Sequence, residues 1–127
     1  MTGISAVLYV EDCEVSTELL ERSFNNFYKK GVLRFDIAPT ISEALITFNQ
    51  DVHCAALIDW NLPDGCGVEV ARYIRQANKD LPLIFLSAIL TDEHLVRIED
   101  IPYATFLQKE YNEIFVQRVS DYLFPDI

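Results

Sequence analysis

Basic residues are scarce in this chain: ten Lys and Arg stand against twenty Asp and Glu, a formal charge of −10. Nothing in the sequence forms a basic stripe. Nucleic-acid affinity rests on neutralising phosphates with Lys and Arg, so direct contact with nucleic acid is not expected. No apolar run approaches the roughly eighteen residues that a membrane helix needs. The opening Met1-Thr2-Gly3-Ile4-Ser5 lacks the charged start and long apolar stretch of a secretory signal. The cysteines are Cys13, Cys54 and Cys66, odd in number and without a Cys-x-x-Cys pair. That spacing argues against a disulfide framework and fits a reducing cytoplasm, where the chain is expected to reside. Cys54, inside an apolar run, is expected to be a small core hydrophobe.

What the chain does have is apolar material. Half of its 127 residues are hydrophobic and 24% are charged, enough for one folded domain with a sizeable core. Strand and helix signals alternate five times, with no linker, repeat or low-complexity segment between them. Residues 6–10, 33–38, 54–58, 83–86 and 105–108 read as strands. Helices are expected over 14–30 (closed by Gly31), from a Thr40 or Ser42 cap to about 49, over 68–77, over 92–99 behind Thr91, and from Asn112 to about 123, where Pro125 stops it. Strict alternation implies an α/β fold, a doubly wound five-stranded parallel sheet with helices on both faces. Right-handed crossovers leave two common strand orders, 3-2-1-4-5 and 2-1-3-4-5.

The third strand carries the most informative residue. Cys54-Ala55-Ala56-Leu57-Ile58 ends at Asp59, and Trp60-Asn61-Leu62-Pro63-Asp64-Gly65 then turns the chain. Alone, Asp59 reads equally as an acid that caps a turn. The first strand, however, ends in Glu11-Asp12, the fourth in Ser87 and the fifth in Lys109. In a parallel sheet these ends share one edge, which is where open α/β sheets place their ligands. Like charges about 4 Å apart cost about 4 kcal/mol at an effective dielectric of about 20, so such a cluster calls for a compensating cation. Oxygen donors with room for water and phosphate suit Mg²⁺. Lys109 offers a point charge for a phosphate oxygen and Ser87 a hydroxyl donor, a set suited to phosphoryl transfer onto a carboxylate.

These residues carry a resemblance. Glu11-Asp12, Asp59-Trp60-Asn61-Leu62-Pro63-Asp64-Gly65, Ser87-Ala88 and Phe106-Leu107-Gln108-Lys109 follow one another at the ends of strands one, three, four and five. Over essentially its whole length the chain resembles the receiver domain of two-component response regulators. The resemblance implies strand order 2-1-3-4-5 and a single receiver domain over residues 1–127. It implies that Asp59 accepts a phosphoryl group from a phosphohistidine on a histidine kinase or phosphotransfer protein. Glu11, Asp12, Asp59 and the backbone carbonyl of Asn61 would hold Mg²⁺. Ser87 would bond the phosphoryl group and Lys109 would pair with it. Phe106 would be an aromatic switch turning inward with Ser87, and Asn61 and Ile89 would tune hydrolysis. Phosphotransfer partners would dock at the start of the first helix, near Cys13 and Val15. Output would pass through the face of the fourth helix, fifth strand and fifth helix, to a downstream protein, a fused output domain or a second copy.

One departure stands out. Receivers usually follow the strand-five lysine with a cis proline, whereas Lys109 precedes Glu110. A trans bond is the expectation there, since cis before a non-proline residue costs about 2.5–4 kcal/mol. Glu110 could compete for the Lys109 ammonium, and a degenerate receiver that only binds partners is the alternative reading. The chain ends after the fifth helix, as expected of a stand-alone receiver or a piece of a longer protein. A haloacid-dehalogenase phosphatase would need Asp-x-Asp after strand one, where Glu11-Asp12-Cys13-Glu14 stands. A flavodoxin-like carrier would need a glycine- and hydroxyl-rich loop there. His94 is read as a surface helix residue and His53 as a loop residue, and neither is assigned a role.

Overall fold

The structure, a computed structural model, describes residues 4–125. Its elements run β1 Ile4–Val10, α1 Glu14–Phe27, β2 Val32–Ala38, α2 Ile41–Thr47, β3 His53–Asp59, β4 Asn61–Leu62, β5 Gly65–Cys66, α3 Val68–Ala77, β6 Leu83–Ser87, α4 Asp92–Ile98, β7 Ala104–Gln108 and α5 Glu113–Leu123. Five parallel strands form one sheet in the order β2-β1-β3-β6-β7. With the short β4-β5 hairpin set aside, this is the expected 2-1-3-4-5 arrangement.

The apolar runs form the central strands because both sheet faces are covered. Alternate residues of β1, β3 and β6 point into opposite cores. Leu8, Val10, Ala56, Ile58 and Phe85 pack with α2, α3 and the end of α4. Val7, Tyr9, Leu57, Ile84 and Leu86 pack with Leu20 and Phe24 of α1 and with Phe115, Val116 and Val119 of α5. Thr40, Thr91 and Asn112 accept hydrogen bonds from the backbone N–H groups of Glu43, His94 and Phe115, fixing the starts of α2, α4 and α5.

Some details differ from the sequence expectations. Helix α1 ends at Phe27, three residues early, because Tyr28 leaves in an extended conformation and packs its ring on Phe24 and Phe124. Its buried stripe is Leu20, Ser23 and Phe24, while Val15, Leu19 and Phe27 face solvent. Cys54 is exposed, not a core residue. Ala6 pairs with His53 and Val7 with Ala55, so Cys54 is the extra residue of a β-bulge and turns out of the regular pleat. His53 belongs to β3 and is buried. Its Nδ1 accepts from the Asn49 N–H (3.1 Å), which leaves Nε2 as the donor to Asp36 Oδ2 (2.8 Å).

The hairpin after β3 brings the chain back close under the sheet edge. Gly65 sits at φ 150°, and the Asp64 carboxylate accepts from the backbone N–H groups of Ile41 and Ser42, tying the hairpin to the start of α2. The Gly67 N–H donates to the Trp60 carbonyl at 2.8 Å. A Cβ on Gly67 would collide with the Asp59 carbonyl oxygen and lie 2.7 Å from Ile58 Cγ2. Gly67→Ala is therefore expected to destabilise the fold by about 1–3 kcal/mol through forced displacement of the strand end. Urea unfolding measures this directly, and an unchanged midpoint would refute the close approach.

Candidate functional site

The carboxyl ends of β1, β3, β6 and β7 build the site, and the sheet ladder runs on through it. The Glu11 N–H donates to the Ala38 carbonyl (3.0 Å), Trp60 N–H to Leu86 (2.9 Å) and Lys109 N–H to Ser87 (2.8 Å). Each functional side chain therefore leaves from backbone already fixed by a neighbouring strand. Glu11, Asp12 and Asp59 each offer a carboxylate oxygen within 4.8 Å of the others. Glu11 is 2% exposed and Asp59 6%, while Asp12 faces solvent. Lys109 reaches into the group, its Nζ 2.8 Å from Glu11 Oε1 and 3.3 Å from Asp59 Oδ1. Glu110 is exposed, and the ammonium goes to the two buried acids instead.

The electrostatics follow from that count of charges. Burial, and next the adjacent Glu11 carboxylate, push Asp59 up to about 7 from its ordinary 3.8, against the pull of Lys109. Burial alone would lower the Lys109 ammonium, but Glu11 and Asp59 outweigh it and hold it above its ordinary value. An acid that binds protons this readily is one short of positive partners. The donors are all oxygen, two of the three carboxylates are buried, and Asp12 leaves the outer side open to water. That set fits a hard cation such as Mg²⁺.

Around Asp59 a cleft of about 430 Å³ is lined by Asn61, Ser87, Ile89, Lys109 and, from the first turn of α4, His94. The Asn61 N–H donates to Asp59 Oδ1 at 3.4 Å, at the start of the hairpin. Ser87 is buried at the end of β6, with its Oγ accepting the Ile89 N–H at 3.3 Å. Ile89 is 68% exposed at the cleft mouth. Phe106 is not at the acids: it lies buried behind the cleft, its ring centroid 5.1 Å from Trp60 and 5.8 Å from Phe85. Glu11, Asp12, Asp59, Asn61, Ser87, Ile89 and Lys109 thus gather at one edge, with Phe106 one layer beneath.

His94 is the cleft residue that sequence reasoning missed. Its ring stacks on Phe106, 4.9 Å between centroids and 6° from parallel. Two signals pointed there: Thr91 starts its helix, and the preceding strand ends at Ser87, beside the site. At the fifth strand's exit no cis peptide occurs among the described residues, as expected for Lys109-Glu110, and Tyr111 takes a left-handed φ of 50°.

Residues 7–118 match the response regulator receiver domain family. This chain belongs to that family. Among solved structures it is similar to the non-phosphorylated HemR receiver domain of Leptospira biflexa, with a TM-score of 0.80 and 30% identity over 94% of each chain. It also shares the fold of chemotaxis protein CheY4 of Vibrio cholerae, with a TM-score of 0.80 and 17% identity over 96% of this chain and 100% of that one. The receiver domain of a sensor histidine kinase from Pseudomonas aeruginosa, with a magnesium ion coordinated in its active-site cleft, aligns with a TM-score of 0.77 and 20% identity over 95% and 98% of the chains. No curated protein sequence matches. No helix among the described residues of this receiver is long and apolar enough to cross a membrane.

The raised Asp59 has a pH signature. Between about 4 and 7 the folded receiver holds a proton on Asp59 that the unfolded chain has released, so stability falls as pH rises through that window. In chelator, Asp59→Asn is expected to remove this slope and to stabilise the protein near pH 7.5 by about 2–4 kcal/mol. Urea denaturation of both proteins at pH 5 and 7.5 checks it. Parallel pH dependences would show that Asp59 is not the strained acid.

Proposed function

We propose that this receiver is a phosphoacceptor signalling domain of a two-component phosphorelay, with Asp59 as the residue modified. The observation that carries the reading is the placement of Asp59: a buried carboxylate beside Glu11, Asp12 and Lys109, yet opening onto a cleft that also presents Ser87. A carboxylate oxygen of Asp59 would attack the phosphorus of a phosphohistidine as the P–N bond breaks. The acyl phosphate forms, and the bonding pair leaves on the partner's imidazole nitrogen, which takes a proton from water to become neutral imidazole. No oxidant or further reactant is needed.

The chain's own residues divide that work. Asp59 must be ionised to attack, so its raised proton affinity has to be offset by positive charge in the site. Glu11, Asp12, Asp59 and the Asn61 carbonyl would hold Mg²⁺, which when bound supplies neutralisation of the transferring oxygens. Lys109 would pair with a phosphoryl oxygen, and the hydroxyl of Ser87, whose Oγ accepts from Ile89, would donate to another. Asn61 and Ile89, which line the cleft, would tune hydrolysis. Phe106 would be the switch residue beneath Ser87.

Partner assignments follow the family. A histidine kinase or phosphotransfer protein would dock where Cys13 and Val15 stand exposed at the start of α1, next to Asp12. Output would use the α4-β7-α5 face, where Val96 and Ile114 are exposed, toward a protein target, a fused output domain or a second copy. The residues form a single receiver domain expected to work in the cytoplasm. One feature favours a second reading, a module that only binds partners: Lys109 lies nearer Glu11 than Asp59.

Incubation with Mg²⁺ and a small acyl phosphate is expected to add one phosphoryl mass to the parent and none to Asp59→Asn, read by intact-mass spectrometry after acid quench. No adduct on the parent would favour the partner-binding reading. Separately, Mg²⁺ at about a hundredfold excess over its Kd is expected to stabilise the fold by about 2.7 kcal/mol and to raise Tm by several degrees. A Tm unmoved by millimolar Mg²⁺ would count against the metal site.

A further inference from the structure

Phe106 borders both a packed aromatic cluster and an open cavity. It now lies in an aromatic box formed by Trp60, Phe85 and His94, with the His94 ring flat against it at 4.9 Å. It also borders an open cavity of about 120 Å³ between the loop before α4, the end of β7 and α5, lined by Leu90, Leu107, Gln108, Glu110, Phe115 and Arg118. That cavity has the scale of a side chain. A ring bordered by a packed box and by open space has room to act as a two-position element.

We propose that His94 is the positioning residue that holds Phe106 in the box. Three contacts support this. The near-parallel stack on Phe106 is one, and the tilted contact of the same ring with Trp60 at 5.2 Å is the second. The third is Arg97, one turn along α4, whose guanidinium lies 5.3 Å over the Trp60 ring and ties the helix to the same box. Among the described residues His94 Nδ1 is buried with no hydrogen-bond partner, so the contacts of the ring faces carry its placement. Helix α4 buries little else, Ile98 being its only fully buried residue. The stack is therefore a principal link between α4 and the sheet.

His94 also lines the cleft with Asp59, Ser87 and Lys109, so one ring touches both the cleft and the switch residue. Phe106 is consequently held inward before any phosphoryl group arrives, and occupancy of the cleft reaches α4 through His94. This last consequence rests on the phosphoacceptor reading; the clamp itself does not. Aromatic stacking of this kind biases a two-position equilibrium about two- to tenfold.

Ring contacts in the full chain test the clamp. NOEs from Phe106 ring protons to the His94 and Trp60 rings are expected in the parent protein, and their absence overturns the proposal without any variant. In His94→Ala the share of Phe106 on the α5 side should rise about two- to tenfold, seen as NOEs to Phe115 and Leu90. Acrylamide quenching of Trp60, the one tryptophan, should rise with it. His94→Phe, which restores a flat ring, should return both readouts to parent values. Unmoved readouts in folded His94→Ala, or no recovery in His94→Phe, overturn the clamp. If His94→Ala does not fold, His94→Gln carries the same comparison. A loss of phosphoryl uptake of about a hundredfold in folded His94→Phe, with its ring contacts intact, would put His94 in the chemistry and refute a positioning role. A parent that takes up no phosphoryl group sinks the reading of Asp59, and the clamp is then decided by the ring contacts alone.

Discussion

Two buried carboxylates sharing one ammonium set the terms for the rest of this receiver. Glu11 and Asp59 are held at one sheet edge by backbone hydrogen bonds from β1 to β2 and from β3 to β6, so neither can retreat from the other. Lys109 comes from β7 under the same kind of restraint. Repulsion in such a frame cannot relax by movement. It relaxes by taking up a proton, a cation or a substituent that changes the charge of one acid. The high proton affinity of Asp59 is the first of these. Metal binding and phosphorylation, on the proposed function, are the other two, and each acts on the same unfavourable energy.

That constraint also explains why the neighbouring residue matters. Trp60 follows Asp59 and is buried among Phe85, Phe106 and His94. A change of charge at Asp59 is therefore one peptide bond from an aromatic cluster, and that cluster is what seats α4. Helix α4 has seven residues and exposes most of them. Short elements with few buried contacts are the ones that open or shift at low cost. A rigid edge of acids thus borders a lightly held helix, with three aromatic rings between.

The parts that were legible in the sequence are those fixed by local chemistry. Val68–Ala77 was readable to the residue because Val70, Ala71 and Ile74 recur at helical spacing behind a turn. The site acids were readable because each ends an apolar strand, and parallel strands share an edge. What escaped depended on contacts distant in sequence. His53 is buried because Asp36, on β2, supplies its partner. Cys54 is exposed because β1 and β3 slip by one residue there, which no pattern within β3 announces. His94 looked like a surface residue because periodicity reports which face of a helix is apolar, not which strand lies beneath it. Its neighbour Phe106 is twelve residues away across the β6-β7 crossover.

The missing proline after Lys109 falls in the loop more than in the site. In that loop Tyr111 takes a left-handed φ of 50°, uncommon for a side chain of its size. Lys109 itself stays in register, because its N–H is bonded to the Ser87 carbonyl before the loop begins. Its ammonium is closer to Glu11 than to Asp59, by 2.8 against 3.3 Å. On the phosphoacceptor reading, pairing with a phosphoryl oxygen would draw that ammonium away from Glu11. Glu11, buried at the same edge, would then need another positive partner, since an uncompensated buried charge is strongly destabilising. The departure of Lys109 and the filling of the acidic cluster would be linked steps, each making the other more favourable. A receiver arranged in this way would respond to its phosphodonor only when the metal site is filled, and the Lys109–Glu11 pair would be the contact that enforces the order.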